Sequence, residues 1–204
     1  MAAKSPWWLL LLCATPFGFA IYSLVFVGVG PDPGEWLMAF TGDWGIRFLL
    51  LTLSVSPLHY YFRQPVLLRS RRLLGLSSFF YASLHLMTFG HFYIAWWFLQ
   101  LVEEFIQRPY ITLGFLAWCC LFPLAATSTR AAVRRMGRQW KRLHKLVYIV
   151  AILVPVHFLW QSRSDFGEPL FYIFLFTVLL GWRILIALRC LKRPISAAAV
   201  LPLD

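Results

Sequence analysis

Six apolar stretches, each close to the roughly 20 residues needed to cross a hydrocarbon core of about 30 Å, constrain this chain more than any other feature. They run from about Trp7 to Val29, Trp44 to Phe62, Leu73 to Leu99, Ile111 to Thr127, Leu143 to Trp160 and Leu170 to Leu188, and each is bounded by Pro, Gly or a charge cluster. With 60% apolar, 18% aromatic and only 13% charged residues and a mean hydropathy of +0.70, a water-soluble domain is excluded. The connections are short, and neither a low-complexity linker nor an internal repeat is evident. The expected architecture is an all-α, six-helix transmembrane bundle forming one domain over residues 1–204. The first stretch has only Lys4 as its basic flank and is too long for a signal peptide, so it is read as a retained span.

A formal charge of +11 would point to nucleic acid in a soluble protein, but here the membrane sides account for it. Six spans place both ends on one side, together with 15 of the 19 basic residues: Lys4, Arg63, Arg69, Arg71, Arg72, the seven from Arg130 to Lys145, Arg189, Lys192 and Arg193. The other side holds Arg47, Arg108 and Arg163 with seven of the eight acids. Positive-inside bias therefore puts both termini in the cytoplasm, as expected for a multi-pass protein of a bacterial inner membrane with lipid, not nucleic acid, as its surroundings. Arg183 falls inside the last span, where it either snorkels or pairs with an anionic cofactor group; Arg47 faces the same choice. The four cysteines form no CxxC pair and read as structural thiols.

An ionisable or metal-binding side chain within a span is a functional candidate because hydrocarbon offers it no water. His85 lies 13 residues past Arg72 and His157 12 past Lys145, so at about 1.5 Å per residue both sit about 18–20 Å from the cytoplasmic side. Two neutral imidazoles at matched depth on different helices suit a b-type haem, whose iron takes one axial nitrogen from each side. His144 precedes His157 by thirteen residues, roughly 20 Å nearer the cytoplasm and about 140° away on an ideal helix unless Pro155 kinks the segment. It is a candidate for a second haem, with His59 or a non-histidine group as partner, or an interfacial histidine bonded to a carbonyl. His91, six residues after His85, points elsewhere and reads as structural.

The stretch RRLLGLSSFFYASLH from Arg71 to His85, RPYITLG from Arg108 to Gly114, the Thr127–Ser128 pair and GRQWKRLHKLVY from Gly137 to Tyr148, followed by His157, together resemble the MsrQ family, formerly called YedZ. The resemblance runs in order and spacing from about Trp44 to Arg189. It implies a ferric-reductase-like transmembrane domain with haem b and FMN, in which His85, His144 and His157 match the family's haem-associated histidines. It further implies electron flow from the quinone pool, or from a soluble cytoplasmic flavin reductase, to MsrP. That partner is a periplasmic molybdopterin subunit that reduces methionine sulfoxide in oxidised proteins.

No nicotinamide-binding domain follows the last span and no GxGxxG motif follows a strand, so electrons are expected from outside the chain. The chain is accordingly expected to be an electron-transfer subunit whose catalytic site is on the partner. The competing class is a small transporter that uses intramembrane histidines; the lack of any Asp or Glu in the spans argues against acid-coupled proton transport.

Overall fold

The computed structural model describes residues 7–162 and 164–191, and among these every regular element is helical. Lys4, Arg163, Lys192 and Arg193, which entered the charge balance, and the Cys190 side chain lie outside the described residues.

Helix α1 (Trp7–Tyr22) ends in a π-helical turn over Ser23–Val27. Asp32 starts α2 (Pro33–Phe62): its carboxylate accepts from the Glu35 N–H at 2.9 Å, and Pro33 opens the first turn, where its missing N–H costs nothing. Arg63, at φ 53°, ends α2 in a left-handed turn, and Pro65 begins α3 (Pro65–Phe92) two residues later. So short a link forces α2 and α3 antiparallel, and they form the most extensive helix pair in the molecule. A ten-residue helix α4 (Phe98–Gln107) leads through Arg108 into α5 (Pro109–Ala126). Two short helices follow, α6 (Arg130–Met136), capped by the Thr129 hydroxyl, and α7 (Arg138–Leu143). Then come α8 (Leu146–Gln161), packed mainly on α5, and α9 (Gly167–Leu191), packed on α8 and α2.

Five helical segments are long and apolar enough to cross a membrane: Trp7–Val27, Pro65–Phe92, Pro109–Ala126, Arg138–Gln161 and Gly167–Arg189. Their outward faces carry exposed Leu, Phe and Trp in numbers that only lipid can accommodate, so this is a multi-pass membrane protein. The segment expected from Trp44 to Phe62 is part of α2, whose 30 residues include Arg47, His59 and several glycines that dilute its hydropathy. The third stretch, expected to run unbroken to Leu99, stops at Phe92. Ala95 and Trp96 take positive φ, 42° and 62°, which breaks the helix before α4.

The main core is built from α2, α5, α8 and α9, where Leu53, Val150, Ala151 and Phe176 are almost fully buried. A second cluster joins α1 to the α2–α3 pair, where the buried Tyr81 hydroxyl donates to the Cys13 carbonyl at 3.0 Å. The α2–α3 pair and the α5–α8 pair face each other across the site described next.

Candidate functional site

His85 on α3 and His157 on α8 face each other across the bundle, with ring centroids 6.3 Å apart and planes at 88°. Each ring is held from behind by its neighbouring helix. The Nδ1 of His85 lies 2.9 Å from the Met38 carbonyl on α2, and the Nδ1 of His157 lies 2.7 Å from the Tyr110 carbonyl on α5. A carbonyl can only accept, so Nδ1 carries the proton in both rings and each Nε2 keeps a free lone pair. This is the state of a metal-ligating histidine, with its orienting partner already in place.

Each ring also rests on a glycine one turn after that carbonyl. A Cβ on Gly42 would lie 3.1 Å from the His85 ring, and one on Gly114 would lie 2.8 Å from the His157 ring. Both histidines follow their carbonyl by 47 positions and their glycine by 43. The α2–α3 pair and the α5–α8 pair thus present one ligand-type side chain each in the same register, 72 residues apart. This is an internal structural repeat that sequence reading missed.

The two histidines line a cavity of about 510 Å³, open at one end, between α2, α3, α4, α5, α8 and the first turn of α9. Its inner part is apolar, walled by Ile46, Leu49, Ala82, Ala117, Leu121 and Val154. Its other end is polar, where Glu35, Asp43, Tyr93, Arg108, Gln161 and Glu168 gather. Trp118 forms part of the wall and donates from its indole N–H to the Ser83 hydroxyl at 2.9 Å, which ties α5 to α3. The volume lies within the range of sites that take a cofactor or drug-sized molecule. A metal held axially by two imidazole nitrogens at about 2 Å each would put the ring centroids about 6 Å apart, close to the spacing found here.

His144 lies outside this cavity. It caps α7, stacks on Trp140 at 3.9 Å and has its Nδ1 3.2 Å from the Trp140 carbonyl. Around His144 the helical bonds tighten to three-residue spacing, Lys145 N–H to Arg142 and Val147 N–H to His144, so the path from His144 to His157 is not a regular α-helix throughout. His59 is bonded to the Gln64 carbonyl at 3.0 Å, and His91 packs edge-on against Phe92.

Both arginines left open by the sequence have internal partners. Arg47 pairs with Asp43 at 3.1 Å and Glu168 at 3.8 Å and donates to the Tyr172 hydroxyl at 3.1 Å. Arg183 donates to the Tyr148 hydroxyl at 2.9 Å and the Leu53 carbonyl at 2.8 Å, with the Tyr148 ring beneath its guanidinium.

Residues 41–155 match the family model described as ferric reductase like transmembrane component. A protein of Xanthomonas euvesicatoria named protein-methionine-sulfoxide reductase heme-binding subunit MsrQ is 46% identical over 156 residues, covering 76% of this chain and 72% of the relative. The chain belongs to the MsrQ family. The likeness holds over greater length at lower identity: a Polaromonas naphthalenivorans MsrQ of the same full name is 38% identical over 195 residues, 90% of this chain and 89% of that one. Within the ferric-reductase-like match fall His85, Tyr110, Gly114 and His144, whereas Met38 lies just before it and His157 two residues past its end.

Proposed function

We propose that this chain is the haem-binding membrane subunit of a methionine-sulfoxide reductase system, in which His85 and His157 would together hold the iron of a haem b. The observation that carries this reading is the facing pair itself: two Nδ1-protonated imidazoles 6.3 Å apart across a cavity of about 510 Å³. The macrocycle's apolar body would match the inner wall, and its two carboxylates would sit at the polar end, where Arg108, paired with Glu104 at 3.1 Å, is the cationic side chain of a lining that also holds Glu35, Asp43 and Glu168.

Haem supplies one-electron chemistry, with iron cycling between ferric and ferrous. The protein's part is to fix both imidazoles through Met38 and Tyr110, to exclude water with Leu49, Leu121 and Trp118, and to keep a low dielectric around the metal. The reading takes α2 as the sixth span and both termini as cytoplasmic in a bacterial inner membrane, from the charge asymmetry of the loops. The polar mouth of the cavity then faces the periplasm. Electrons enter at the arginine-rich face, where His144 and Trp140 stack, from a quinol or a reduced cytoplasmic flavin. They leave at the mouth to a periplasmic MsrP-like molybdopterin subunit, which holds the site that reduces methionine sulfoxide.

Proteoliposomes test the direction of flow. With a reduced-flavin system enclosed and the periplasmic partner plus methionine sulfoxide outside, the haem is expected to be reduced from within and reoxidised only when the sulfoxide is added. A haem that the partner cannot reoxidise would overturn the assignment.

A further inference from the structure

Helix α4 divides its ten residues among three environments. Leu101, Glu104 and Phe105 point inward, and Leu101 and Phe105 form part of the cavity wall. Gln100, Glu103 and Gln107 form an exposed polar ridge, in which the Gln107 amide donates to Glu103 at 2.7 Å. The third side is apolar yet uncovered: Phe98 is 74% exposed, Leu99 79% and Ile106 76%, with Val102 between them. On a helix of about 100° per residue these sets fall on three separate arcs, so the exposed apolar side is a continuous stripe and not a scatter.

The position of α4 identifies what covers that stripe. The helix is strung between the end of α3 at Phe92 and the start of α5 at Pro109, two segments that cross the membrane. Five residues precede it and one follows, so its axis cannot lift away from the ends of those helices. Its approach is fixed as well. The positive-φ turn at Ala95 and Trp96 drives the Trp96 ring onto Gly90, where a Cβ would lie 2.6 Å from the ring, and the Trp96 N–H donates to the Gly90 carbonyl at 2.9 Å. At its other end the Thr112 hydroxyl bonds the Phe105 carbonyl at 3.3 Å. The stripe continues the exposed apolar belt of α3 through Phe92, Trp96 and Trp97, and a tryptophan pair beside an amphipathic helix is the composition of a membrane–water boundary.

We propose that α4 lies in the bilayer interface, with Phe98, Leu99, Val102 and Ile106 seated among phospholipid chains, as the roof of the histidine cavity. One helix thereby joins two surfaces: the lipid holds its outer stripe, and that seating presses Leu101 and Phe105 into the cavity wall. Closure of the cavity thus depends on the bilayer as well as on contacts within the protein.

The test uses the full-length chain in phosphatidylcholine–phosphatidylglycerol nanodiscs, with native cysteines replaced by alanine and single nitroxide labels at 99, 102, 106, 100, 103 or 107. Labels at 99, 102 and 106 are expected to collide mainly with oxygen, and labels at 100, 103 and 107 mainly with water-soluble nickel–EDDA. Nickel accessibility at 99 and 106 equal to that at 103 would overturn the proposal, as would shielding of 99 and 106 from both reagents, the signature of a protein partner or a second copy. In unlabelled protein, Leu99→Glu with Ile106→Glu is expected to lower hydrogen-exchange protection of 98–107 by about tenfold in nanodiscs, whereas Glu103→Gln leaves it unchanged. Equal protection in both variants would contradict a lipid seat.

Discussion

His85 and His157 differ from the other histidines by deep burial and by where Nδ1 bonds, since His59 and His144 meet carbonyls only five and four residues away in the chain. In each, Nδ1 is committed to a carbonyl on a neighbouring helix, and a glycine leaves room for the ring. The glycines therefore give a sharper test of the geometry than the histidines. Gly114→Ala would bring a methyl within 2.8 Å of the His157 ring, and displacing that ring or α5 is expected to cost about 1–3 kcal/mol and lower haem occupancy. Gly42→Ala, at 3.1 Å from His85, is expected to do the same more mildly, and Gly18→Ala, with nothing within 4 Å, to do neither. Pyridine haemochrome and thermal unfolding in detergent read both effects. The pairing of the histidines was legible in the sequence because depth along a helix follows from counting. Their partners were not, since Met38 and Tyr110 contribute only backbone carbonyls and a carbonyl leaves no mark in residue type.

At the scale of elements, five membrane-crossing segments declare themselves by hydropathy alone, while α2 carries Asp43, Arg47 and His59 along its length. Their partners explain how α2 keeps them: Arg47 is neutralised by Asp43 and Glu168, and His59 bonds the Gln64 carbonyl. Arg183 plays a comparable part in α9, bridging α8 through Tyr148 and α2 through Leu53 and Ser56. Replacing it with Met removes these hydrogen bonds and is expected to destabilise the packing of α9 by about 1–3 kcal/mol, read as a lower unfolding temperature in detergent. Tyr148→Phe should lose less, because Leu53 and Ser56 still receive the guanidinium. The break after Phe92 was not legible: Tyr93 to Leu99 is apolar enough to continue a span, and only the positive φ of Ala95 and Trp96 turns the chain into an interfacial direction.

Across the whole molecule, the 72-residue register between the α2–α3 and α5–α8 pairs makes the cavity nearly two-fold in design. Few identical residues mark it, because packing asks for shape and not identity: Gly45 corresponds to Ala117, Ala82 to Val154 and Leu86 to Phe158, and all six line the cavity. The charge asymmetry has its own whole-molecule consequence. Reporter fusions at the N- and C-termini are both expected to read as cytoplasmic, and a periplasmic reading at either end would remove α2 from the count of spans.

Electron transfer through this chain rests on a haem held by two histidines. The most direct measurement is a reduced-minus-oxidised absorption spectrum of the detergent-purified chain beside His85→Ala and His157→Ala. A low-spin b-type spectrum is expected, with pyridine haemochrome identifying and counting the haem b, and loss of that low-spin signal in either variant. A folded but colourless protein, or variants with undiminished low-spin haem, would contradict it.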